Sequence, residues 1–275
     1  MTMCFSSKLS TVATGTALVL SSTILGASPA SAISFGTSID CDPAASGDPL
    51  DRTCSLQSRL DDMTVSGGID TTQDTGFDYF TNTASGGSIG RLMFEVAGFA
   101  SGNKFGIFNQ DGVKAELFDG FHDEADRTIV DFLSGGDLLI NTTEIDPVGS
   151  TVTQTIANFG NIFGFYLENP EGDTFFSDIS LNSDGRQHSA IYQGDNSTVL
   201  DLPGVQPGVF TDNEFIIAFE DLPEGHTYAD FDYNDFVVIM ESIDPAGVPE
   251  PSTLFGLGLV VSAAIASRHR QSRRR

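Results

Sequence analysis

The chain has 275 residues, 40% of them hydrophobic, with a formal net charge of -25 and a pI near 4.1. This acidity excludes a basic nucleic-acid binder, which needs Lys and Arg against phosphates, and apolar runs confined to the two ends exclude a polytopic membrane protein. The 22 Phe and regular apolar segments exclude simple disorder and suffice for one core.

Residues 1–32 read as a secretory signal. Lys8 supplies a weakly positive start, Val12 to Leu25 a mildly apolar stretch, and Ala30-Ser31-Ala32 a small-residue pattern that sets signal-peptidase cleavage after Ala32. Cys4 leaves with the signal, so Cys41 and Cys54 are the two remaining thiols. In an oxidising compartment they are expected to pair as a structural disulfide across a turn-rich loop. Such a closure contributes on the order of 3 kcal/mol in the loop-entropy model.

Ser55–Asp62 is expected to form one short helix, with Leu56 and Leu60 four apart on one face. Strand signals dominate thereafter: short apolar or alternating runs between Gly, Asn, Asp and Pro clusters. They fall at Arg91–Val96, Lys104–Asn109, Ala115–Phe118, Thr128–Leu133, Asp137–Asn141, Thr151–Ile156, Gly164–Leu167, Asp173–Ser177, Ser189–Gln193, Glu214–Phe219 and Phe236–Glu241. Their spacing, with no amphipathic helix between them, predicts an all-β fold: an antiparallel β-sandwich, jelly-roll-like, spanning residues 33–247 as a single domain. Hydrophobic helices are expected only at the two termini. With no Trp and abundant Phe, the core is built from small rings.

Two catalytic patterns do not stand. Gly86-Gly87-Ser88-Ile89-Gly90 matches G-x-S-x-G, but a nucleophile elbow must open a helix, and Arg91–Val96 reads as strand. Pairs of carboxylates arise everywhere in so acidic a chain and do not by themselves indicate glycoside hydrolysis. His122, His188 and His226 show no ligand spacing and are expected to be surface or hydrogen-bonded residues. No enzymatic activity is expected.

The sharpest constellation lies within residues 219–241. Glu220 and Asp221 end an apolar strand; Asp230, Asp232 and Asn234 alternate, and Asp235 follows directly. Calcium takes six to eight hard oxygens from carboxylates, amides and backbone carbonyls. Glu220, Asp221, Asp230, Asp232, Asn234 and Asp235 are therefore the candidate Ca2+ ligands. Packed together without a cation they would raise one another's pKa. Asp230, Asp232, Asn234 and Glu241 fall at EF-hand positions 1, 3, 5 and 12, but Asp235 replaces the turn glycine and a β-branched strand follows. That leaves a β-loop calcium site, or an acidic turn whose Asp side chains cap their own backbone amides.

The tail has three parts: Pro249-Glu250-Pro251, an apolar run expected as a short transmembrane helix over 254–267, and five arginines after it. The arginines would hold that end in the cytoplasm. At 14 residues, against about 20 for a comfortable span, the run suits a transient stop. Removing Lys8, the five tail arginines and Glu250 leaves 7 basic against 37 acidic residues, a mature charge of -30. Such a surface repels anionic polymers and collects divalent cations.

This tail resembles the PEP-CTERM sorting signal of bacteria, which implies processing near residues 248–251 by an exosortase, a membrane protease-transpeptidase; an ordinary C-terminal anchor is the plainer alternative. Phe219-Glu220-Asp221-Leu222, followed by Asp230-Phe231-Asp232-Tyr233-Asn234-Asp235-Phe236-Val237-Val238, resembles domain of unknown function 4114. Leu56–Asp61, Phe94–Phe99, Asn103–Phe108 and Ser177–Gly185 are similar to its PEP-CTERM members. The resemblance implies an exported, cation-binding β domain at the cell envelope, outer surface or extracellular matrix, with signal peptidase and exosortase as export partners. Extracellular polysaccharide is the candidate lasting partner. Calcium could bridge protein to sugar hydroxyls beside Tyr228 or Tyr233, as in a carbohydrate-binding module.

Overall fold

The structure, a computed structural model, describes residues 35, 55–96, 100–120, 122, 124–145, 149 and 151–247. The secretory signal with Ala32, the Cys41 and Cys54 pair, the sorting residues Pro249, Glu250 and Pro251, and the terminal helices lie outside the described residues. No helix among the described residues is long and apolar enough to cross a membrane.

The expected helix forms as α1 (Leu56–Asp62), because Ser55 caps it: the Ser55 hydroxyl accepts from the Ser58 amide at 3.2 Å. Leu56 and Leu60 are both buried, as their spacing requires. Sixteen strands follow among the described residues. They are β1 (Thr64–Ser66), β2 (Phe80–Asn82), β3 (Ser88–Phe94), β4 (Lys104–Asn109), β5 (Lys114–Asp119), β6 (Arg127–Phe132), β7 (Leu138–Thr143) and β8 (Thr151–Ile156). Then come β9 (Ile162–Glu168), β10 (Thr174–Phe176), β11 (Ser189–Gln193), β12 (Val199–Leu200), β13 (Gly208–Val209), β14 (Glu214–Phe219), β15 (Phe236–Glu241) and β16 (Ile243–Pro245).

Every pairing is antiparallel. One sheet runs β11-β14-β15-β3-β6-β7-β8; the sheet facing it runs β16-β2-β9-β4-β5, with β10 sharing an edge of β9. The expected antiparallel sandwich is thus the architecture of the chain. A third, small sheet, β1-β12-β13, was not expected. Strands of two or three residues are too short to show the period-2 alternation that marks a strand in sequence. β3 likewise begins at Ser88 rather than Arg91, because a glycine-rich opening hides its start.

The small sheet explains why β14 and β15 read as unbroken apolar runs. Phe215, Ile217 and Phe219 of β14, with Phe236, Val238 and Met240 of β15, face the core between the two large sheets. Their alternates Ile216, Ala218, Val237 and Ile239 face a second core, with Leu56 and Leu60 of α1, Leu200 and Phe210. Successive strand side chains point to opposite faces, so a strand covered on both sides carries no polar face.

Phenylalanine rings tie the large sheets together. Phe105 on β4 stacks on Phe165 of β9 at 5.9 Å and, across the core, on Phe236 of β15 at 5.5 Å. Next to it, β4 bulges against β5 at Gly106. A Cβ there would collide with the Ala115 carbonyl and the Tyr166 ring, so the close approach requires glycine. Ser88 of the G-x-S-x-G pattern is buried and donates to Asn82 Oδ1 at 3.1 Å, with β3 starting at it. The pattern is a turn entering a strand.

Truncating Phe105 to Ala should destabilise the domain by roughly 3–5 kcal/mol, the usual range for a buried ring. Val152→Ala on the exposed strand β8 should stay within about 0.5 kcal/mol. Paired chemical-denaturation curves check both; equal shifts would contradict a core centred on Phe105.

Candidate metal centre

The site sits in the connection between β14 and β15, the two strands buried on both faces. Rigid pairing, Phe219 opposite Phe236, holds the ends of this loop together. Glu220 and Asp221 leave β14 as Asp235 enters β15, so the three carboxylates meet without any long-range adjustment. The Glu220 amide donates to the His188 carbonyl at 2.9 Å, and the Asp221 amide to Asp235 Oδ2 at 2.9 Å.

The remaining acids arrive through an unusual backbone. Phe231 and Tyr233 adopt φ of +53° and +59°, the left-handed region that bulky side chains rarely enter. Each such residue costs of order 1–3 kcal/mol and needs surroundings that hold it. Here the rings do so. Tyr233 is buried, with its hydroxyl donating to the Gln187 carbonyl at 3.0 Å and Phe35 edge-on at 5.4 Å. The Arg186 guanidinium lies 5.0 Å from the centre of the Phe231 ring. With the aromatics turned into the protein, Asp230 and Asp232 turn toward Glu220.

Two sets of carboxylates result, each with oxygens within 4.8 Å of one another: Glu220, Asp230 and Asp232, and Glu220, Asp221 and Asp235. Glu220, 1% exposed, belongs to both. Its Oε2 is buried without a hydrogen-bond partner. Asn234 supports the cluster, donating to Asp232 from its backbone amide at 3.1 Å and from Nδ2 at 2.6 Å. All six expected residues are thus brought together.

Sequence reasoning missed two supports. Asn103 Nδ2 donates to Asp221 Oδ2 at 3.0 Å and to Glu95 Oε1 at 3.1 Å, and Asn169 Nδ2 donates to the Asp221 carbonyl at 2.9 Å. Asn103 Oδ1 is itself buried without a partner. The one sequence signal for Asn103 was its place in the Asn103–Phe108 stretch.

The electrostatics follow from burial. Among the described residues, no Lys, Arg or His forms an ion pair with any of the five carboxylates. Desolvation, with the charges of Asp230, Asp232 and Asp221 beside it, pushes Glu220 up to about 9. Desolvation and the charge of Asp230 push Asp232 up to about 7, against the hydrogen bonds from Asn234. Asp235 is held well above its ordinary value by burial and by Glu220. Asp221 and Asp230 are raised too, desolvation first. Carboxylates so placed ionise readily only when a positive charge joins them.

The histidines are hydrogen-bonded residues, as the sequence suggested, with His226 Nδ1 accepting from the Tyr228 amide at 3.4 Å. His122 pairs with Asp119 at 2.8 Å; His188 is buried, 2.9 Å from Asp184, and stacked on Phe175 at 4.0 Å. One expectation is corrected. Tyr233 is no exposed platform for a sugar: it is 3% exposed because its left-handed backbone turns the ring inward. Tyr228, by contrast, is 79% exposed.

Comparison with known proteins adds the family. The model of the domain of unknown function DUF4114 matches residues 147–242, from just before β8 through β15, and the PEP-CTERM protein-sorting motif matches residues 247–271. No curated protein and no solved structure matches the chain significantly. The DUF4114 match includes every carboxylate of the cluster but leaves out Asn103, strands β1 to β7 and β16. With the acidic centre inside the matched segment, the chain matches DUF4114 over residues 147–242 and, directly after it, the PEP-CTERM sorting motif of an exported, transiently membrane-anchored protein.

Proposed function

We propose that the chain is a non-enzymatic surface or extracellular-matrix protein whose β domain is stabilised by calcium at the loop between β14 and β15. The observation that carries this reading is Glu220: a carboxylate 1% exposed, one oxygen without a partner, among four other carboxylates. A hard divalent cation satisfies that oxygen and offsets the repulsion together. Calcium suits the donor set, since it accepts irregular all-oxygen shells that magnesium tolerates poorly. Ser88, in the G-x-S-x-G pattern, is buried and engaged in a hydrogen bond. The sorting motif supports export and exosortase processing, after which the domain would remain at the envelope or in the matrix.

Tyr228 favours a second reading. Highly exposed and two residues before Asp230, it could stack on a sugar whose hydroxyls complete the calcium shell, as in a calcium-dependent carbohydrate-binding module. Glycan binding that needs calcium and is lost in Tyr228→Ala would select this reading; binding unaffected by either would reject it.

At calcium between one and ten times its dissociation constant, a single site stabilises the domain by about 0.4–1.4 kcal/mol. Differential scanning calorimetry should therefore show a modest rise of the melting temperature on adding calcium, reversed by chelator and diminished in Asp232→Ala. An unchanged curve with excess chelator would refute the reading.

The metal-free domain should also lose stability as pH rises. Carboxyls whose pKa lies higher in the folded than in the unfolded state stabilise the fold at pH below the unfolded value, and that stability disappears as pH climbs through the folded value. Rising from ordinary values of 3.8 and 4.5 to about 7 and about 9, Asp232 and Glu220 spread the loss from about pH 4 to about pH 9. Asp221, Asp230 and Asp235 act in the same direction. His188, lowered by burial, acts in the opposite direction and offsets part of the loss at the acid end of the range. The melting temperature in chelator should fall over that range, and saturating calcium should flatten the profile.

A further inference from the structure

We propose that the loop holds two cations, an inner and an outer one, bridged by the Glu220 carboxylate. The inference rests on the calcium reading above and sharpens it from one ion to two. Calcium–oxygen bonds are about 2.3–2.6 Å, so the ligands of one ion lie no more than about 5 Å apart. Both carboxylate sets meet that condition, Glu220 with Asp230 and Asp232, and Glu220 with Asp221 and Asp235, and Glu220 alone is common to them. A carboxylate can give one oxygen to each of two metals. Glu220 has an oxygen to give, for Oε2 is buried and unpartnered.

Charge points the same way. One divalent ion leaves three of the five carboxylates uncompensated, while two leave one, and no basic side chain among the described residues pairs with them. Uncompensated buried charge is expensive enough that a site of this depth favours near-neutrality.

The two centres differ. In the inner one Asp221 and Asp235 are buried and braced, by Asn103 and by the Asp221 amide. In the outer one Asp230 is exposed, leaving room for water on the ion. The inner ion is held within the fold, and the outer ion exchanges with solvent.

Native mass spectrometry and calcium titration of the full chain decide the matter. Two calcium ions per chain are expected, with the outer released first by chelator. Asp230→Asn should retain one ion and Glu220→Gln none. Asp221→Asn should lose the inner ion; should it not fold, Asp230→Asn still tests the count without touching a buried side chain. One ion per wild-type chain would overturn the bridged pair and leave the single-site reading standing. No bound calcium would overturn both, and two ions retained in Asp230→Asn would overturn the outer centre.

Discussion

Four carboxylates gathered around one buried glutamate are the constraint on which the rest of the domain depends. Like charges at this separation in a poorly solvated site cannot all stay ionised unaided. Either protons or a cation must accompany them. Among the described residues no basic side chain forms an ion pair with the cluster, and in the calcium reading proposed above that positive charge comes from outside the chain.

The sandwich supplies what the loop lacks. β14 and β15 are clamped from both faces, by the phenylalanine core on one side and by α1 with the small sheet on the other. Strands so confined do not slip register, since a one-residue shift would exchange their two faces. Their ends therefore present Glu220, Asp221 and Asp235 at fixed positions. Further support comes from outside the DUF4114 match, because β3 pairs with β15, β4 pairs with β9, and Asn103 braces Asp221. The matched segment is half of a shared core rather than a separate unit.

Much of this was legible in the sequence. The Asp230, Asp232 and Asp235 pattern and the Glu220-Asp221 pair at a strand end were local, and one loop joins them. The long apolar or alternating runs became strands because period-2 signals survive over five or more residues. Asn103 and Asn169 were illegible for the opposite reason: they reach Asp221 across 118 and 52 residues. Tyr233 looked available because nothing in residue type reveals a left-handed backbone, and that backbone alone decides which way the ring points.

The last strand has a consequence for how the protein stands on its support. β16 is hydrogen-bonded to β2, and the Ala246 amide still donates to the Tyr79 carbonyl at 2.8 Å. The sorting motif starts at residue 247. Even fully extended, at about 3.3–3.6 Å per residue, the tether from Ala246 to the apolar run at Leu254 reaches less than about 30 Å. A folded sandwich on so short a tether stays close to whatever holds the apolar run. Whatever severs the tail near the sorting motif must work within that short reach of the folded domain.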